Sequence, residues 1–135
     1  MKKTILLINI MLLTGCLGRS AQGYITKTCE NEENINGNKV KTLITLTSKE
    51  GHIENITKQE IYDESMNIEA IKNSKKSEQN LYKTEPGIDL YIENNTFLYT
   101  INTKEINDTI KERLNIKDEL HRQLDYYESI GYTCK

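Results

Sequence analysis

The sequence predicts an α+β fold, in which an antiparallel sheet built from a three-stranded meander and a later hairpin is packed against two or three helices. Three observations carry that expectation: an alternating β-branched run after Asn36-Gly37, a second pair of alternating runs around Asn94-Asn95, and two amphipathic stretches near the C-terminus. Period-two alternation marks half-buried strands, and apolar spacing of three and four marks helices.

Residues 24–30 alternate well enough for a strand that carries Cys29, and residues 30–38 (ENEENINGN) read as an acidic, turn-rich loop with Asn36-Gly37 as its hairpin signal. Glu30, Glu32 and Glu33 lack the ligand spacing of a calcium loop, so the stretch is taken as solvated. Residues 39–48 (KVKTLITLTS) put Val40, Thr42, Ile44 and Leu46 on one face and predict a central strand. Lys49-Glu50-Gly51-His52 makes the next turn. The spacing of Ile53, Ile56 and Ile61 in residues 53–62 fits either a strand or a helix; a strand is preferred because it completes the meander.

A loop follows over residues 63–66, with Ser65 or Asn67 placed to cap a helix. Residues 67–83 predict one helix, apolar at its ends through Ile68, Ile71, Leu81 and Tyr82. In its middle, Ser74-Lys75-Lys76-Ser77 presents no buried face, so these lysines read as exposed surface. Pro86-Gly87 ends that helix. Around Asn94-Asn95, a two-residue turn pairs Ile88 with Ile101, Leu90 with Tyr99 and Ile92 with Phe97, all on one face. A slip by one residue would expose the whole apolar set, so the register is firmly specified, and Phe97 and Tyr99 read as core rather than as a ligand platform. Residues 104–114 predict a short helix through Ile106, Ile110 and Leu114. Residues 118–130 predict a firmer one, with Leu120, Leu124 and Tyr127 on one stripe and Asp118 and Glu119 at its start. Gly131 is placed to end it in the left-handed conformation, after which Tyr132-Thr133-Cys134 can run extended toward Cys29.

The N-terminus has a different character. Lys2 and Lys3 supply a positive start, and the apolar run TILLINIMLL supplies about ten residues, within the roughly 7–15 of a secretory signal. As a helix it spans only ~15 Å of a ~30 Å hydrocarbon core, too short to cross a membrane. It closes on Leu13-Thr14-Gly15-Cys16, which resembles the lipobox of bacterial lipoproteins. That resemblance implies cleavage between Gly15 and Cys16 and lipidation of the Cys16 thiol. At about 0.8 kcal/mol per buried CH₂, two acyl chains make an effectively permanent anchor. The expected organisation is a signal peptide over residues 1–15, a lipidated cysteine and flexible tether over 16–23, and a single domain over 24–135. The expected location is the extracytoplasmic face of a bacterial cell membrane.

Removing the signal leaves about 120 residues, enough for one core but not for two independent domains. With a net charge of -2 there is no basic footprint for nucleic acid. A charged fraction of 28% beside 36% hydrophobic residues describes a solvated small domain rather than a disordered tail. With Cys16 assigned to lipid, Cys29 and Cys134 remain as a pair in an oxidising setting and are expected to form a disulfide that ties the ends of the domain together.

No residues form a recognisable catalytic or metal constellation, so no catalytic residue, metal ligand or cofactor is assigned. His52 and His121 have no Cys, His or Glu at metal-ligand spacing and read as surface histidines. There is no Gly-x-Ser-x-Gly elbow, no Ser-x-x-Lys and no phosphate-cradling glycine loop. Glu60, Asp63, Asp89 and Glu93 are the acids that a fold would have to bring together for glycoside chemistry.

In the order and length of its elements the chain resembles the YehR-like family of small bacterial lipoproteins, through Leu13-Thr14-Gly15-Cys16 and the Gly87-Ile88 entry to the hairpin. The resemblance implies an α+β fold and no assigned activity. The expected function is a non-enzymatic, lipid-anchored domain that binds a protein, peptide or envelope component. A phage or mobile-element lipoprotein acting in exclusion at the membrane is the alternative, and a small envelope hydrolase, which has no motif here, comes third.

Overall fold

A computed structural model describes residues 23–135. The expected signal peptide, the expected processing site at Gly15 and Cys16 and most of the expected tether lie outside the described residues. Six strands form one antiparallel sheet: β1 (Tyr24–Ile35), β2 (Asn38–Lys49), β3 (His52–Tyr62), β4 (Ile88–Glu93), β5 (Thr96–Asn102) and β6 (Thr133–Cys134), in the order β4-β5-β3-β2-β1-β6. Four helices accompany them: α1 (Ile68–Ser74), α2 (Lys76–Thr84), α3 (Asp108–Arg113) and α4 (Leu120–Ser129). Among the described residues no helix is long and apolar enough to cross a membrane.

The first hairpin departs from the expected loop. β1 continues to Ile35, paired with β2 from Tyr24↔Lys49 through Ile35↔Asn38, so that only Asn36-Gly37 turns the chain. Both turn residues take positive φ, 53° and 84°, as a tight two-residue turn requires. The acidic run extends as a strand because β2 sets lysines beside it. Lys39 Nζ lies 3.0 Å from Glu32 and Lys41 Nζ 3.7 Å from Glu30.

The third strand resolves the ambiguity over residues 53–62. Ile53 and Ile56 are three apart, so strict alternation would put them on opposite faces. The register shifts between Thr47 and Ser48, leaving Glu54 as an extra residue, and Ile53 and Ile56 are both buried. The predicted second hairpin forms with the expected pairs, Ile88↔Ile101, Leu90↔Tyr99 and Ile92↔Phe97. Gly87 at its entrance has φ 84°, and a Cβ there would sit 2.7 Å from the Glu105 Cβ, so both backbone and packing demand glycine.

Three helical expectations are corrected. Residues 67–83 form two helices rather than one, capped at the first by Asn67, whose side chain accepts from the Ala70 N–H at 3.1 Å, and broken at Lys75. Lys75 is not exposed surface: its ammonium turns in to Glu60, over the rings of Tyr62 and Phe97. Its partner explains the break, since Glu60 is buried and its charge requires a cation beside it. The helix expected over residues 104–114 covers only Asp108–Arg113, because Asn107 caps it by accepting from the Ile110 N–H at 2.9 Å. The last helix, expected over 118–130, is Leu120–Ser129, and residues 118–120 instead pair with the start of β3 through Ile53 N–H to Asp118 O and Leu120 N–H to Gly51 O, both 2.9 Å. Gly131 follows at φ 99°, and the chain returns as β6 beside Cys29.

One core cluster joins sheet residues such as Ile44, Leu46, Ile56 and Phe97 with Tyr82, Ile110 and Leu120. Val40, Ile44 and Leu46 are buried as the alternation of residues 39–48 predicts.

Candidate functional site

Sheet register brings an unusual set of side chains into one rank. Cys29 pairs with Ile44, Ile44 with Lys58, Lys58 with Tyr99 and Tyr99 with Leu90, so all five point to the same face. A cavity of about 170 Å³ sits over the middle of this rank. Its floor is Ile44, Ile56, Lys58 and Tyr99; Tyr82 of α2, Leu114 and Ile116 flank it; Tyr126, Tyr127, Ile130 and Tyr132 close it from the C-terminal side. Ile130 is half exposed, so the cavity borders solvent there.

The C-terminal wall is fixed at both ends. Residues 118–120 bond to the start of β3. Beyond α4, Cys134 is joined to Cys29 across a sequence separation of 105, the pairing expected from the cysteine count. Tyr127 stands 5.6 Å from Tyr126 and 5.4 Å from Tyr132, ring to ring, which gives this wall a continuous aromatic surface. Gln123, fully buried, accepts from the Lys117 N–H at 2.6 Å and so holds the preceding loop against α4.

Tyr99 is the distinctive group. Its residue is 3% exposed, its ring meets that of Tyr82 edge to face at 5.3 Å, and Lys58 Nζ lies 5.4 Å from its centre. Its hydroxyl has no hydrogen-bond partner and is the one such buried side-chain atom among the described residues. Burial, reinforced by the carboxylates of Glu60 and Glu78, pushes its ionisation upward, so the group is a neutral phenol with a proton to donate. By contrast, the Tyr82 hydroxyl donates to Glu78 at 3.1 Å.

Next to Tyr99 lies a compact charge cluster. Glu60 receives Lys58 Nζ at 2.7 Å on one oxygen, and Lys75 Nζ together with the Tyr62 hydroxyl, at 2.9 Å, on the other. Burial pushes the Glu60 carboxyl up, but the two ammonium groups outweigh it and hold the group at about 2 against an ordinary 4.5. Lys75 is raised in turn: burial opposes its charge, and its bonds to Glu60 and Tyr62 more than compensate. One carboxylate is thus shared between two cations beside the cavity.

No family model matches the chain, and no curated protein or solved structure matches it.

The four acids considered from sequence are not brought together. Glu60 faces the core, whereas Asp89 and Glu93 alternate with Ile88, Leu90 and Ile92 and so project from the opposite side of the sheet. Asp63 lies beyond β3 and is held by Ser65, whose N–H donates at 2.9 Å and whose hydroxyl donates at 2.7 Å. His52 is the first residue of β3, not part of a turn, and His121 lies on α4, its Nε2 3.3 Å from Glu119; both are exposed. Among the described residues no group of three His, Cys, Asp or Glu could hold a metal. Phe97 and Tyr99 are core, as the alternation predicts, but nothing in the alternation signals the unpartnered hydroxyl. The available signal was the charged pair Lys58 and Glu60 at inward-facing parity between Ile56 and Tyr62.

Proposed function

We propose that the chain is a lipid-anchored lipoprotein of the bacterial envelope, held by Cys16 on the extracytoplasmic face of the membrane. Its domain acts as a non-enzymatic binding module for a protein, peptide or envelope component, with its helices layered on one face of the sheet. The observation that carries this reading is the fate of the cysteines. Of three, two are consumed in the Cys29–Cys134 disulfide, which suits an exported chain, and the third is the last residue of Leu13-Thr14-Gly15-Cys16. The YehR-like resemblance belongs with the same reading.

The test is metabolic labelling of the full chain with radioactive palmitate. Label should enter the wild-type protein, which fractionates with membranes, and should be lost from Cys16→Ser together with processing. Unchanged processing and fractionation in Cys16→Ser would overturn the anchor. Turnover of glycan or ester substrates by the purified protein would overturn the non-enzymatic half of the reading.

A further inference from the structure

The two edges of the sheet are finished differently. At one, β6 lies over the middle of β1, with Thr28 N–H donating to Lys135 O at 3.1 Å and Lys135 N–H to Thr28 O at 2.8 Å, and the rest of that strand carries Glu30, Glu32 and Glu33. Cover and charge are the usual means by which an edge is kept from pairing with another chain. At the other edge, β4 has neither lysine nor proline, and its register with β5 is continuous. Asn102 N–H donates to Gly87 O at 2.7 Å, so by alternation Asp89, Tyr91 and Glu93 bond toward β5 while Ile88, Leu90 and Ile92 turn their N–H and C=O outward. Among the described residues no hydrogen bond reaches these outward groups.

The helix beside β4 does not close this edge. α2 packs on β4 from the face where Tyr82 meets Tyr99, and Leu90 and Ile92 point to that face yet remain partly exposed, because no strand lies beyond them. On the opposite face Tyr91 is 73% exposed, more than any other large hydrophobic side chain among the described residues. The strand is also complementary to itself. In an antiparallel ladder the outward-bonding residues face one another, so the register that pairs the whole of β4 with a second β4 sets Leu90 against the partner's Leu90 and Ile88 against the partner's Ile92. Both apolar pairs fall on the covered face. On the open face Asp89 meets the partner's Tyr91 and Glu93 meets the partner's Gly87, so no carboxylate stands directly opposite another. Pro86, which has no N–H to donate, ends the ladder beyond Ile88.

We propose that β4 is a homodimerisation edge, at which two copies of this chain pair β4 to β4 about a two-fold axis through Leu90 and join their six-stranded sheets into one. The ladder satisfies the outward backbone groups of Ile88, Leu90 and Ile92, and the partner strand covers the exposed flanks of Leu90 and Ile92. This interface lies beyond the envelope-binding reading above and does not depend on the lipid anchor.

The test uses the purified full chain in excess non-ionic micelles, which hold it in solution whether or not it is acylated, and follows association by sedimentation velocity. A monomer–dimer equilibrium with a dissociation constant on the order of 10 µM is expected, as suits a contact smaller than a standard interface. Tyr91→Asp should weaken it about tenfold or more, because both symmetric contacts with Asp89 then oppose like charges, whereas Tyr91→Lys should retain it. At so exposed a position both variants should fold, which the backbone amide spectrum checks. Register is tested by mixing an Asp89→Cys copy with a differently tagged Tyr91→Cys copy. These should join by a disulfide on mild oxidation, since opposite residues that exchange no hydrogen bonds stand ~4.5 Å apart at Cα. Glu32→Cys, on the other edge of the sheet, should join neither. A chain still monomeric at about 100 µM overturns the proposal. So does a dimer that folded Tyr91→Asp leaves undiminished, which places the contact elsewhere or in shared micelles, or one that cross-links equally through Glu32→Cys.

Discussion

The two faces of the sheet are made from the same strands, yet they carry opposite chemistry. On one, Ile44, Ile56, Phe97 and Tyr99 are at most 3% exposed, and the charged residues Lys58 and Glu60 are paired with each other. On the other, the rank Thr28, Thr45, Thr57 and Thr100 runs across four strands, and none of these residues is buried. Beside that rank Tyr91 stands 73% exposed. Threonine suits an extended backbone whether or not its face is covered, whereas a carboxylate on a covered face must be satisfied locally. The covered face is therefore the one where single atoms matter.

Four measurements would break or sharpen this contrast. The largest effect should come from the cross-link. Cys29 belongs to the covered rank, and Cys134→Ser releases a loop of 105 residues of separation. The chain-entropy model assigns such a loop about 4–5 kcal/mol, which denaturant unfolding of oxidised wild type and variant would measure. Phe97→Ala should follow, at about 3–5 kcal/mol, because the ring is wholly buried and packs edge to face on Tyr62. A loss below about 1 kcal/mol would show that this face is not the core.

The third effect is on acid stability. Glu60 is held at about 2 when folded, against an ordinary 4.5. A carboxyl with a depressed folded value contributes stability that is fully present above its unfolded value and lost as pH falls through the folded one. About 3 kcal/mol should therefore disappear between roughly pH 5 and pH 2, and Glu60→Gln should flatten that limb of the stability curve. A wild-type curve already flat there would mean that the lysines do not hold the charge. The smallest effect is on the open face, where Thr57→Val should change stability by about 0.5 kcal/mol or less in either direction. A loss comparable with that of Phe97→Ala would show that this face, too, is covered.

The sequence made the second hairpin legible to the residue because six apolar side chains at period two admit one register around a two-residue turn. The first hairpin was legible only in part. Glu30, Glu32 and Glu33 look like loop residues until the lysines of β2 are placed beside them, a pairing that depends on register. The candidate site was less accessible still. Lys75 lies in a stretch that is polar in both directions, and nothing local distinguishes it from Lys76; it turns inward because Glu60, fifteen residues away, is buried beneath it. Gln123 likewise looks like one more polar position on an amphipathic helix, yet it is fully buried because a loop needs its carbonyl oxygen.

What the sequence determined by itself was the class of fold, the order of strands along the chain, the second hairpin and the cysteines available for pairing. These follow from alternation, turn chemistry and composition, which act over a few residues. Tertiary structure alone decided the bulge at Glu54, the inward course of Lys75, the sharing of Glu60 between two lysines and the burial of the Tyr99 hydroxyl without a partner. Burial and electrostatic pairing depend on which groups meet across distant strands and helices, and only the assembled fold sets those distances.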